Sequence, residues 1–159
     1  MRVHAFRLTP GTDLRAELER ITERLAMRAG FILTGVGSLA AARLRMPGAI
    51  GEVEIVTTFD EPMEIVSLAG TLGQDGLHVH ISLARRDGAC VGGHLVPGCI
   101  VNTTVELVIG EAPLLDFRRR LDAATGYAEL SVEPRPSSAA ASPRTRRTRG
   151  ARPAAPTSA

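Results

Sequence analysis

The sequence predicts an α+β domain built on one antiparallel sheet, and three observations predict it. An apolar stripe of helical period follows a first strand. Six segments rich in Val, Ile and Thr then succeed one another with no helix between them. Asp87–Gly88 supplies a tight-turn signal within that run.

The elements follow in order. Residues 3–8 alternate weakly between apolar and polar, as a strand with one covered face does. "TPGTDL" supplies turn residues and a helix start, with Thr12 or Asp13 as N-cap. Over 13–29, Leu14, Leu18, Ile21 and Leu25 fall on one helical face, and Gly30 is placed to end the helix. The strand segments are 31–38, 39–45, 52–59, 63–72, 77–85 and 99–109, bounded by Gly, Pro or Asp. A second, shorter helix is expected over 115–124, ending before Gly126.

Composition sets the limits. Of the 159 residues, 44% are hydrophobic but only 3% aromatic, so the core must come from Leu, Ile, Val and Ala. Every one of the 19 basic residues is arginine. Residues 1–133 carry thirteen arginines against seventeen acids, a net −4, and form the domain. Residues 134–159 carry six arginines and no acid. Their largest apolar side chain is alanine, so they read as a disordered basic tail with a pull toward polyanions. Two cysteines without CxxC spacing, and no apolar segment of signal or spanning length, point to the cytoplasm and to no membrane partner.

The chemistry concentrates in "GLHVHISLARRDGACVGGHL", residues 76–95. His78 and His80 share one face of a strand, and a hairpin at Asp87–Gly88 returns His94 toward them. A two-residue loop there sets His80 opposite Leu95, one position from His94, so a bulge at Gly92–Gly93 is expected. Three imidazoles with an open position suit zinc, with Glu64 of "MEIVSLAGTL" as the nearest candidate for an outer hydrogen-bond partner or a base. The alternative is a structural cluster at a subunit interface. No nucleophile motif or phosphate loop accompanies it, so the sequence leaves catalysis open and leans against it.

"RLTPGTDL", "GVGSLAAARLR", "MEIVSLAGTL", "GLHVHISL", "GGHLVPGCIVNTTVELVI" and "FRRRLDAATGYAEL", in that order over residues 1–131, resemble the PPC (plants and prokaryotes conserved) domain. The resemblance implies an α/β fold with a central antiparallel sheet flanked by helices, assembled as a homotrimer. In plants the domain accompanies AT-hook motifs in nuclear DNA-binding proteins, where it mediates assembly and partner contacts. Two departures stand out. Pro62 occupies the place of an arginine in the plant pattern, and the tail reads Arg149–Gly150–Ala151–Arg152–Pro153, one residue longer than an Arg-Gly-Arg-Pro hook. The expectation is a trimeric cytoplasmic or nucleoid-associated protein with a regulatory or assembly role. Its Arg144, Arg146, Arg147, Arg149 and Arg152 would hold DNA weakly and in a salt-sensitive way. The competing expectation is a zinc-binding protein or an enzyme built on the three histidines. Other proteins are further candidate partners.

Overall fold

The computed structural model describes residues 1–50 and 53–135. Of the tail expected over 134–159, Pro134 ends β9 and the Arg135 amide bonds to Leu114 O, while residues 136–159, with the five candidate DNA-contacting arginines, lie outside the described residues. The elements run β1 (Arg2–Leu8), α1 (Leu14–Arg24), β2 (Gly30–Ile50), β3 (Val53–Phe59), β4 (Met63–Gly73), β5 (Gly76–Ala84), β6 (Cys90–Leu95), β7 (Ile100–Glu111), β8 (Leu115–Leu121) and β9 (Ala128–Pro134).

Helix α1 begins where a capping side chain allows it. Asp13 Oδ1 accepts the Ala16 amide at 3.1 Å, while its Oδ2 accepts the Gly98 amide at 2.7 Å, tying the helix start to the turn before β7. Leu14, Leu18 and Ile21 are fully buried against the sheet, and burial of each such side chain contributes about 1.5–3 kcal/mol. The helix stops five residues before the expected end. Met27 N–H bonds to Thr22 O and Ala26 N–H to Glu23 O, both at 2.9 Å, with Ala26 left-handed at φ 47°. This is a Schellman closure with alanine where glycine usually sits, and it drives Met27 into the core.

Seven strands form one sheet in the order β1-β7-β2-β4-β5-β6, with β3 added on β2. Every pairing is antiparallel. The segments expected as two strands over 31–45 are one strand, β2. Register shifts near Thr34, Leu39 and Ala41 bend it, so that it pairs in turn with β7, β4, β6 and β3. Its Leu44 and Arg45 meet Leu95 and His94 of β6. The pairings β2–β4, β4–β5, β5–β6 and β6–β2 thus close on themselves around a core that includes Leu39, Leu44, Leu72, Val79, Leu83 and Leu95.

Two expectations fail here. The segment 115–124 is not a helix but β8, paired residue for residue with β9 from Leu115↔Pro134 to Leu121↔Ala128. Asp116 of β8 is buried and hydrogen-bonded by Arg28 at the end of the α1–β2 connection, and the Phe117 amide bonds to Arg28 O at 2.9 Å. Those tertiary contacts outweigh local helix propensity. The sheet is accordingly flanked, among the described residues, by one helix rather than several. The Asp87–Gly88 turn also closes differently from the two-residue loop. Arg85 N–H bonds to Ala89 O at 2.8 Å and Gly88 N–H to Arg85 O at 2.9 Å, with Gly88 at φ 84°, a three-residue loop.

Candidate metal centre

That loop moves the register by one residue and sets His80 directly opposite His94. The pairing runs unbroken from His80↔His94 to Ala84↔Cys90, so no bulge at Gly92–Gly93 is needed. The glycines serve close approach instead. A Cβ at Gly92 would lie 2.8 Å from Ile81 O, and one at Gly93 would lie 2.9 Å from Arg45 O. Without side chains there, β6 fits between β5 and β2.

On β5 the alternation is clean. Leu77, Val79, Ile81 and Leu83 are buried, while His78 and His80 stand on the open face. The Nε2 atoms of His78 and His80 are 3.1 Å apart. Ring centroids are separated by 4.9 Å (His78–His80), 5.1 Å (His78–His94) and 5.4 Å (His80–His94). One nitrogen from each ring falls within 4.8 Å of the others. Tetrahedral zinc with Zn–N bonds of 2.0–2.1 Å sets its nitrogens about 3.3 Å apart. The first pair stands near that spacing, and the third nitrogen lies within 4.8 Å of them. His94 Nδ1 is buried without a hydrogen-bond partner among the described residues. Such a group costs about 1–3 kcal/mol unless something fills its lone pair or takes its proton. The donor set and the orphaned nitrogen fit a borderline-soft divalent ion.

The electrostatics favour the neutral form of His94 and of His78. Burial lowers the His94 pKa to about 4, with Arg45, His78, His80 and Arg15 adding to the effect. His78 is lowered by burial first, then by His80 and Arg119, against a smaller opposing pull from Glu129. Neutral imidazole is the form that ligates metal.

The structure does not bring Glu64 to the cluster. Glu64 pairs with Ser38 and Ala84, five residues along β4 from Ala69, the partner of His80. At about 3.4 Å per strand residue, that is roughly 17 Å away. A different set of polar side chains borders the histidines. A cavity of about 710 Å³ is lined by His78, His94, Arg45, Glu54, Arg119 and Glu129, among others. Arg119 and Glu129 come from the β8–β9 hairpin; Arg119 lies within the segment expected as a helix over 115–124, and Glu129 lies beyond it.

The sequence model of the Plants and Prokaryotes Conserved (PCC) domain matches residues 1–113. The chain belongs to that family. "Bifunctional protein GlmU" of Synechococcus sp. (strain JA-2-3B'a(2-13)) is 42% identical over 134 residues, 84% of this chain and 21% of that protein. This PCC-domain chain therefore spans about a fifth of the length of the curated relative. Among solved structures, a hypothetical protein of Salmonella enterica is 39% identical, with TM-score 0.79 over 84% of this chain and 94% of that one. A metal-containing protein of Archaeoglobus fulgidus is 26% identical, with TM-score 0.67 over 82% and 94%. A candidate DNA-binding protein of Bacteroides thetaiotaomicron, 22% identical with TM-score 0.72 over 82% and 91%, shares the fold. No helix among the described residues is long and apolar enough to cross a membrane.

Proposed function

We propose that this PCC-domain protein binds a divalent metal, zinc by preference, through His78, His80 and His94. The observation that carries the reading is the convergence of three imidazole nitrogens within 4.8 Å, one ring bearing a buried nitrogen without a partner. The metal-containing Archaeoglobus protein of the same fold supports it. Three imidazole ligands leave a fourth position, so the bound ion supplies a Lewis-acidic site for an oxygen ligand. The test is metal analysis of untagged protein beside a His78→Ala/His80→Ala variant. Near-stoichiometric zinc in the wild type and none in the variant is expected, and equal content in both refutes the site.

A second reading is favoured by charge. The six arginines and no acids of 134–159 give the chain a segment for weak, salt-dependent DNA binding. Assembly as a homotrimer would present three such segments together and raise their combined avidity. Exposed Val3, Leu33, Val36 and Val66 on β1, β2 and β4 supply apolar surface for self-association. A regulatory or assembly role, with other proteins as partners, belongs to this reading.

A further inference from the structure

The geometry points to an oxyanion subsite beside the histidine cluster, anchored by Arg119 of β8, which takes the carboxylate or phosphate group of a small molecule. It rests on the metal reading for its neighbour, but its anchoring group is separate from the three histidines.

The arginines around the cavity differ in what they already hold. Arg45 is engaged by Glu54 at 2.6 Å. Arg118 pairs with Asp75 and Asp116, and Arg120 with Glu133. Arg119 forms no ion pair among the described residues. Its guanidinium donates to the neutral Thr71 hydroxyl at 2.9 Å, and its backbone amide lies 3.3 Å from Asp75 Oδ2. Thr71 faces His78 across the β4–β5 register. One hydrogen bond therefore fixes the arginine beside the cluster and leaves the remaining donors of a planar fork unused. That fork matches the two oxygens of a carboxylate or phosphate. Arg119 is half-buried and lines the same cavity as His78 and His94, which is large enough for a small metabolite. Glu54 and Asp75 line the same space but are paired with Arg45 and Arg118, and Glu129 lines it with no ion pair among the described residues, so the subsite rests on the unused guanidinium donors of Arg119 and not on a net positive charge.

The experiment titrates acetate and inorganic phosphate, in separate arms, into zinc-loaded and chelator-treated full-length protein by calorimetry. Chloride is used to hold ionic strength constant. The wild type, Arg119→Gln, Arg119→Lys and Arg120→Gln are compared, with zinc content measured for each. Binding of at least one anion by the wild type is expected. Arg119→Gln should weaken it about tenfold to a hundredfold, as loss of a charge-assisted bond does. Arg119→Lys should lie between the two, and Arg120→Gln should match the wild type. The stronger arm identifies carboxylate or phosphate as the ligand class. Zinc content reports on the metal reading alone, and Arg119→Gln should leave it unchanged. No anion binding by the wild type, equal binding by Arg119→Gln, or an equal loss in Arg120→Gln overturns the subsite.

Discussion

Gly70 offers a sharp test of how β4 positions the histidines. It pairs with Val79, the residue between His78 and His80. A Cβ placed on Gly70 would stand 2.3 Å from His78 O, 2.7 Å from Val79 Cα and 2.8 Å from Val79 Cγ2. Two of these partners are backbone atoms, so no side-chain rotation relieves the overlap. Strands β4 and β5 must separate by about 1 Å to restore ordinary contact, and overpacking of this kind costs about 1–3 kcal/mol. The upper end applies because ladder hydrogen bonds stretch as well. For a domain of this size, a loss of about 3 kcal/mol lowers Tm by roughly 10–15 °C. The assay is thermal unfolding of Gly70→Ala by circular dichroism in the presence of chelator, since bound metal would add stability of its own. Zinc affinity should fall in parallel, because the His78 carbonyl is the group displaced. A Tm within about 2 °C of the wild type would refute the packing argument.

Three further outcomes are expected. His94, with its pKa near 4, should stay neutral at pH 5.5 in metal-free protein, and a ring-proton titration midpoint near ~6.5, the ordinary histidine value, would contradict this. The sign follows from linkage. A folded-state pKa below the unfolded value makes this ring's contribution to stability complete above about pH 6.5, and it is lost as pH falls from there through about 4. A chain truncated after Arg135 should lose DNA binding while keeping its fold and its zinc, and the full chain's log-affinity slope against log salt should be no steeper than about −5 per tail. Cutting there rather than before Pro134 spares β9, since Pro134 pairs with Leu115 and the Arg135 amide bonds to Leu114 O. Sedimentation should give a trimer, and a concentration-independent monomer would end that proposal.

Much of this molecule was legible from local pattern. The Asp13 cap and the Leu14–Leu18–Ile21 stripe were visible because both are sequence-adjacent signals. The histidine cluster was visible because strand alternation and one turn motif suffice to bring His78, His80 and His94 together. The end of α1 was hidden because Ala26 takes a left-handed conformation that sequence rules reserve for glycine. The length of β2 was hidden because its register shifts depend on which strand lies alongside at each point. The β8–β9 hairpin was misread because Asp116, a turn-like residue by local preference, is held by Arg28 from 88 positions away. That error had a cost at the site. Arg119 and Glu129 reach the cavity only through the hairpin, which local helix signals over 115–124 conceal. The one signal available was the alternation of Leu130 and Val132 with polar neighbours, which marks β9 as a strand.

His94 occupies a seam. Its backbone lies between β5 and β2, opposite His80 on one side and Arg45 on the other. A ligand held by all three rings would clamp β6 to β5, and through β6 it would support the β2–β6 pairing at Leu44↔Leu95 and Arg45↔His94. Ligand binding and closure of the seam would then be coupled. A ligand that tightens the seam by a given factor has its own affinity raised by that same factor when the seam is already shut. Slower amide exchange at Leu44, Arg45 and Leu95, far in sequence from His78 and His80, is the expected sign of a ligand held at the rings.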